Sequence, residues 1–126
     1  LEPLAGYLTL AQYLYEGKKE IAGAWNFGPQ QSSHLTVKEL LHKTINYVGK
    51  GSYVIKKDPG HKYEAMLLRL DSAKARRRLG WKPVFSASDA LKLTLDWYRS
   101  YYKGLTMASF TNRQINDFFK KYASKM

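Results

Sequence analysis

The 126 residues, 44% hydrophobic and 25% charged, make one domain with a hydrophobic core and exclude two. With no cysteine there are no disulfides or thiolate metal centres, and no apolar run reaches the ~20 residues that cross a bilayer. The net charge of +11 is uneven: residues 1–60 hold 7 lysines against 5 acids, residues 61–126 hold 14 Lys/Arg against 5 acids. Such a balance admits phosphorylated or polyanionic partners.

In chain order, Pro3 suits the first turn of a helix, and Leu4, Tyr7, Leu8, Ala11, Leu14 and Tyr15 recur at helical spacing up to Gly17. Ala24-Trp25-Asn26-Phe27-Gly28-Pro29 reads as a short strand entering a turn, followed by polar loop. Thr36-Val37-Lys38-Glu39 forms a capping box ahead of an apolar face of Val37, Leu40, Leu41, Thr44, Ile45 and Val48, which ends at Gly49 and Gly51. Tyr53-Val54-Ile55 predicts a strand, Asp58-Pro59-Gly60 a turn, and Ala65 to Leu70 a β-capable run. In Asp71-Ser72-Ala73-Lys74-Ala75-Arg76-Arg77-Arg78-Leu79-Gly80-Trp81-Lys82-Pro83, Asp71 or Ser72 caps a short helix, Gly80 stops it and Pro83 keeps it from resuming. A long helix from about Ser88 to Tyr102 carries Leu91, Leu95, Tyr98 and Tyr102 on its inner stripe. A last helix opens at a second capping box, Thr111-Asn112-Arg113-Gln114, and presents Ile115, Phe118, Phe119 and Tyr122 inward. The expected fold class is α/β, a small lobe over residues 1–126, mostly helical with a few short strands.

The search for chemistry returns no complete constellation. Gly49-Lys50-Gly51 is the nearest thing to a phosphate-cradling turn, but it follows a helix and lacks the third glycine. Tyr-x-x-x-Lys, the spacing that lets a lysine lower a tyrosine pKa, occurs at Tyr15…Lys19 and Tyr53…Lys57. Gly17 interrupts the first and the second lies in a predicted strand, so neither keeps both side chains on one helical face. His34, His42 and His61 have no spaced carboxylate partner, so no metal site is expected. Arg76, Arg77 and Arg78 fan about 100° apart around their helix instead of lining one groove. Trp25, Trp81 and Trp97, with the helical tyrosines and phenylalanines, read as core.

Several segments, in order, resemble the CDP-glucose 4,6-dehydratases, extended short-chain dehydrogenase/reductases that act on sugar nucleotides. They are Leu1-Glu2-Pro3-Leu4-Ala5-Gly6-Tyr7-Leu8, Ala24 to Pro29, Thr36-Val37-Lys38-Glu39-Leu40, Glu64-Ala65 with Leu68-Arg69-Leu70-Asp71, the Asp71–Pro83 stretch, and Phe110-Thr111 with Gln114-Ile115. Two positions depart from the family pattern. Tyr63 stands before Glu64-Ala65 where a histidine is common, and Asp58 precedes Pro59-Gly60 where relatives carry arginine.

The resemblance implies the C-terminal substrate-binding lobe of such an enzyme, with the N-terminal Rossmann half absent. That half would bind NAD and carry the Tyr/Lys pair, so this chain alone is expected to hold no cofactor and to be inactive. His61, Lys62 and Glu64 are the substrate-side contacts it suggests, toward a nucleotide sugar. A cytoplasmic location, truncation ahead of Leu1, and self-association through apolar surface near Tyr7 and Leu8 are expected with it; a membrane partner is not. The alternative reading is a small basic module that binds nucleic acid or another polyanion.

Overall fold

The computed structural model describes residues 1–30, 33–56 and 70–124, and among these the regular structure is helical. Helix α1 runs Glu2–Tyr15, a single 3₁₀ turn covers Lys19–Ile21, and α2 runs Val37–Val48. Helices α3 (Ala73–Leu79), α4 (Ala87–Tyr102) and α5 (Met107–Ala123) follow. α4 packs against α5 and α2, whereas α1 packs against α3 and the 3₁₀ turn.

The caps follow local chemistry closely. Thr36 Oγ1 accepts from the Glu39 N–H at 3.2 Å, and Glu39 Oε2 accepts from the Thr36 N–H at 2.7 Å. The Thr36 N–H first, and then the Thr36 hydroxyl, which donates to the same carboxylate oxygen at 2.8 Å, hold the Glu39 carboxyl below the usual glutamate range. α2 closes on Gly49. Ser86 and Asp89 form the same reciprocal box on α4, at 3.1 and 3.0 Å. α3 ends on Gly80 with φ of +67°, a left-handed backbone in which a Cβ would be strained.

The core is small and aromatic. Ile21, Phe27, Ala75, Leu79 and Trp81 form one buried cluster; Ala5, Val84 and Phe118 form another, and Tyr122 packs against both. Phe27 meets Trp81 edge-on at 5.1 Å and Tyr7 at 5.4 Å. A Cβ on Gly6 would fall 2.3 Å from the Phe27 ring, so only glycine lets α1 approach the 24–28 segment this closely.

Three expectations require correction. The predicted strands at Ala24–Pro29 and Tyr53–Ile55 take no sheet partner among the described residues. The first instead hands its backbone groups to side chains: Ser72 Oγ accepts from the Gly28 N–H at 2.8 Å, and Lys74 Nζ donates to the Ala24 carbonyl at 2.9 Å. In the second, Val54 and Ile55 are exposed, so no packed face supports a ladder. The β-capable run ending at Leu70 lies, except for Leu70, outside the described residues.

The last helix begins at Met107, not at the expected capping box. Thr111 Oγ1 accepts from the Trp97 indole N–H at 2.9 Å, and Gln114 Nε2 donates to the Leu93 carbonyl at 2.9 Å. A pattern that reads as a start signal is a clamp from α5 onto α4. The inner stripe of α4 holds at Leu91 and Leu95, which are half-buried with Leu93 and Trp97, but fails at Tyr98 and Tyr102, which are exposed while Ser100 is buried.

Candidate functional site

Three of the segments that carry the family resemblance, within 1–8, 24–29 and 71–83, meet in space, and their bonds are structural. The Glu2 carboxylate accepts from the Val84 N–H at 2.9 Å and the Phe85 N–H at 2.6 Å, tying the start of α1 to the chain just after Pro83. The Trp81 indole N–H donates to the Glu2 carbonyl at 3.2 Å from a fully buried position. Asp71 Oδ1 accepts from the Ala73 N–H at 2.8 Å and starts α3, which frees Ser72 to hold Gly28. Lys74 lies 4.2 Å from the centre of the Trp25 ring, and the Trp25 indole N–H donates to the Ile21 carbonyl at 2.8 Å. The tryptophans serve packing, as their pattern predicts. Arg76, Arg77 and Arg78 are exposed, and Arg78 reaches the Glu20 carbonyl at 3.0 Å.

Two open concavities flank α4. One, about 360 Å³, lies between the start of α1, α4 and α5, and is lined by Glu2, Phe85, Leu93, Trp97 and Gln114. The other, about 450 Å³, lies between α2 and α4, with Tyr47, Tyr98 and Tyr102 beside Lys50, Arg99 and Lys103. It adjoins a smaller hollow of about 190 Å³ with Lys43 and Lys92 on its rim. The Tyr47 hydroxyl donates to Asp96 Oδ1 at 2.6 Å. That bond, with desolvation and the aspartate charge adding to it, raises the phenol above its ordinary pKa. Tyr47 is thereby kept protonated, the opposite of what a tyrosine base requires. Tyr53 and His42 share a 2.7 Å hydrogen bond on the surface.

The candidate contacts His61, Lys62 and Glu64, and the departing positions Asp58 and Tyr63, lie outside the described residues. Gly49 and Gly51 have positive φ and follow the C-terminal end of α2, so they open no helix whose N–H groups could cradle a phosphate. Tyr15 ends α1 and Lys19 opens the 3₁₀ turn, so that pair shares no helix. Lys57 lies outside the described residues. Among the described residues no three His, Asp or Glu side chains gather as metal ligands, and no helix is long and apolar enough to cross a membrane.

Sequence reasoning missed the α2–α4 groove. Its signal was present: Tyr98 and Tyr102 are one turn apart, as are Arg99 and Lys103, so aromatic and basic rows run side by side on α4.

No protein-family model matches the chain. A CDP-glucose 4,6-dehydratase of Salmonella typhimurium is 32% identical over 118 residues, 94% of this chain. The chain spans about a third of that relative's length. The chain is thus similar to CDP-glucose 4,6-dehydratase along nearly its whole length, a match consistent with a C-terminal portion of such a protein.

Proposed function

We propose that this chain is the sugar-nucleotide-binding lobe of an NAD-dependent NDP-sugar 4,6-dehydratase, acting on CDP-glucose in the synthesis of deoxysugars for cell-surface polysaccharide. The observation that carries this reading is 32% identity to CDP-glucose 4,6-dehydratase along 94% of the chain. A lobe of this kind binds and orients the nucleotide sugar. Lys62 would offer its ammonium to the pyrophosphate. His61 and Glu64 would hydrogen-bond the sugar hydroxyls.

NAD does not fit the residues described on this chain. Gly49 and Gly51 follow the C-terminal end of α2, so they open no helix whose N–H groups would receive a dinucleotide phosphate. In this reading NAD binding and the redox step fall to a Rossmann half, and this chain supplies the substrate side.

Calorimetric titration with CDP-glucose, UDP-glucose and dTDP-glucose tests the reading. Saturable binding that prefers CDP-glucose and weakens at least tenfold in Lys62→Ala is the expected result. Equal response to all three, or none to any, would remove it.

A further inference from the structure

The groove between α2 and α4 combines planar rings and cations in a way the dehydratase reading does not use. Tyr98 is 50% and Tyr102 80% exposed, and their rings lie nearly parallel, 6.4 Å apart. Arg99 and Lys103 follow them on α4, with Lys50 at the end of α2 facing the same hollow of about 450 Å³. Lys43 and Lys92 carry the positive rim along the adjoining hollow. Lys92 and Arg99 both approach the Tyr47 ring, at 5.9 and 6.0 Å. Asp96, which reaches Tyr47 there, is engaged by its hydroxyl. From Lys92 to Lys103 the row extends about 16 Å at the rise of an α-helix.

An apolar partner would leave these five cations desolvated without counter-charge. An acidic peptide would satisfy the cations and leave the exposed tyrosine faces with little to stack on. A chain of phosphates carrying unpaired bases satisfies both rows, since bases stack on aromatic faces while lysine and arginine follow the backbone. We propose that the α2–α4 groove binds single-stranded nucleic acid, without sequence preference.

Fluorescence anisotropy with a labelled oligo-dT of about ten nucleotides reads this directly. Binding should fall with salt with a log–log slope of about −3.5, as five cations each releasing ~0.7 counterion require. Tyr98→Leu with Tyr102→Leu keeps the net charge and should weaken binding about tenfold through lost stacking. Both side chains are exposed, and unchanged circular dichroism verifies the fold. Arg99→Gln with Lys103→Gln should weaken binding more than Arg76→Gln with Arg77→Gln, which removes the same charge on α3.

Equal losses from the two charge pairs, together with no loss from the tyrosine pair, would reduce the effect to the overall charge of +11 and overturn the proposal. So would absence of binding, equal affinity for a duplex whose bases are already stacked, or equal competition by polyglutamate. Excess CDP-glucose should leave oligo-dT bound. Displacement would assign the groove to the sugar nucleotide and overturn the nucleic-acid reading while leaving the dehydratase reading intact.

Discussion

The part of the molecule built from α1, α3 and residues 24–28 and 81–85 differs in kind from the side formed by α2 and the adjacent face of α4. The first is tied by bonds linking residues 44 to 83 positions apart: Gly28 to Ser72, Lys74 to Ala24, Glu2 to Val84 and Phe85. It holds Phe27 and Trp81 in its interior. The second buries no residue of α2 fully, and Tyr47 of α2 reaches Asp96 of α4 by a hydrogen bond across it. Three of the segments that carry the resemblance thus join through side chain–backbone bonds, and the α2–α4 side keeps cations and tyrosines open to solvent.

Substitutions can break that contrast. Trp81→Ala removes a fully buried indole and should lower stability by about 3–5 kcal/mol, read as a shift in the urea midpoint. Gly6→Ala places a methyl against the Phe27 ring and should cost about 1–3 kcal/mol by overpacking. Ser72→Ala leaves the buried Gly28 N–H without its acceptor, at about 1–3 kcal/mol. On the α2 side, Thr36→Ala removes one cap and should cost about 1 kcal/mol. A larger loss from Thr36→Ala than from Ser72→Ala would reverse the comparison.

Two titrations sharpen it without changing the core. The Glu39 pKa is lowered in the folded state, so its contribution is present above the ordinary glutamate range and fades as pH falls through the depressed value. Helicity lost on acidification should therefore diminish less steeply in Glu39→Gln, whose amide still accepts from the Thr36 N–H. The Tyr47 pKa is raised, so its contribution is complete below the ordinary tyrosine pKa and lost as pH rises through the folded value. Tyr47→Phe should delete a late-titrating phenol from the alkaline absorbance curve.

Much of the helical layout is legible in the residues. Thr36 and Glu39 define the start of α2, Gly49 its end, and Gly80 the end of α3, because each acts within a few positions of itself. Ser86-Ala87-Ser88-Asp89 carried the same legible box and marks α4 one turn before its first large apolar residue. Thr111 and Gln114 show where local reading fails. Their spacing satisfies a capping box, yet a hydroxyl and an amide can equally serve Trp97 and Leu93, and contact with α4 selects the second use. Ala24–Pro29 fails for a related reason: its composition suits a strand, but its backbone partners arrive as the side chains of Ser72 and Lys74.

By itself the sequence determined the start and end of α2, the end of α3, the net charge and the likeness to CDP-glucose 4,6-dehydratase. Each of those depends on residue identity or on interactions one helical turn long. Only tertiary structure decided which tyrosines of α4 face solvent, that α5 begins four residues before Thr111, and that α2 and α4 enclose a basic groove. A periodic stripe fixes the relative angles of its side chains around a helix, but the neighbour that packs against it chooses which of them are covered.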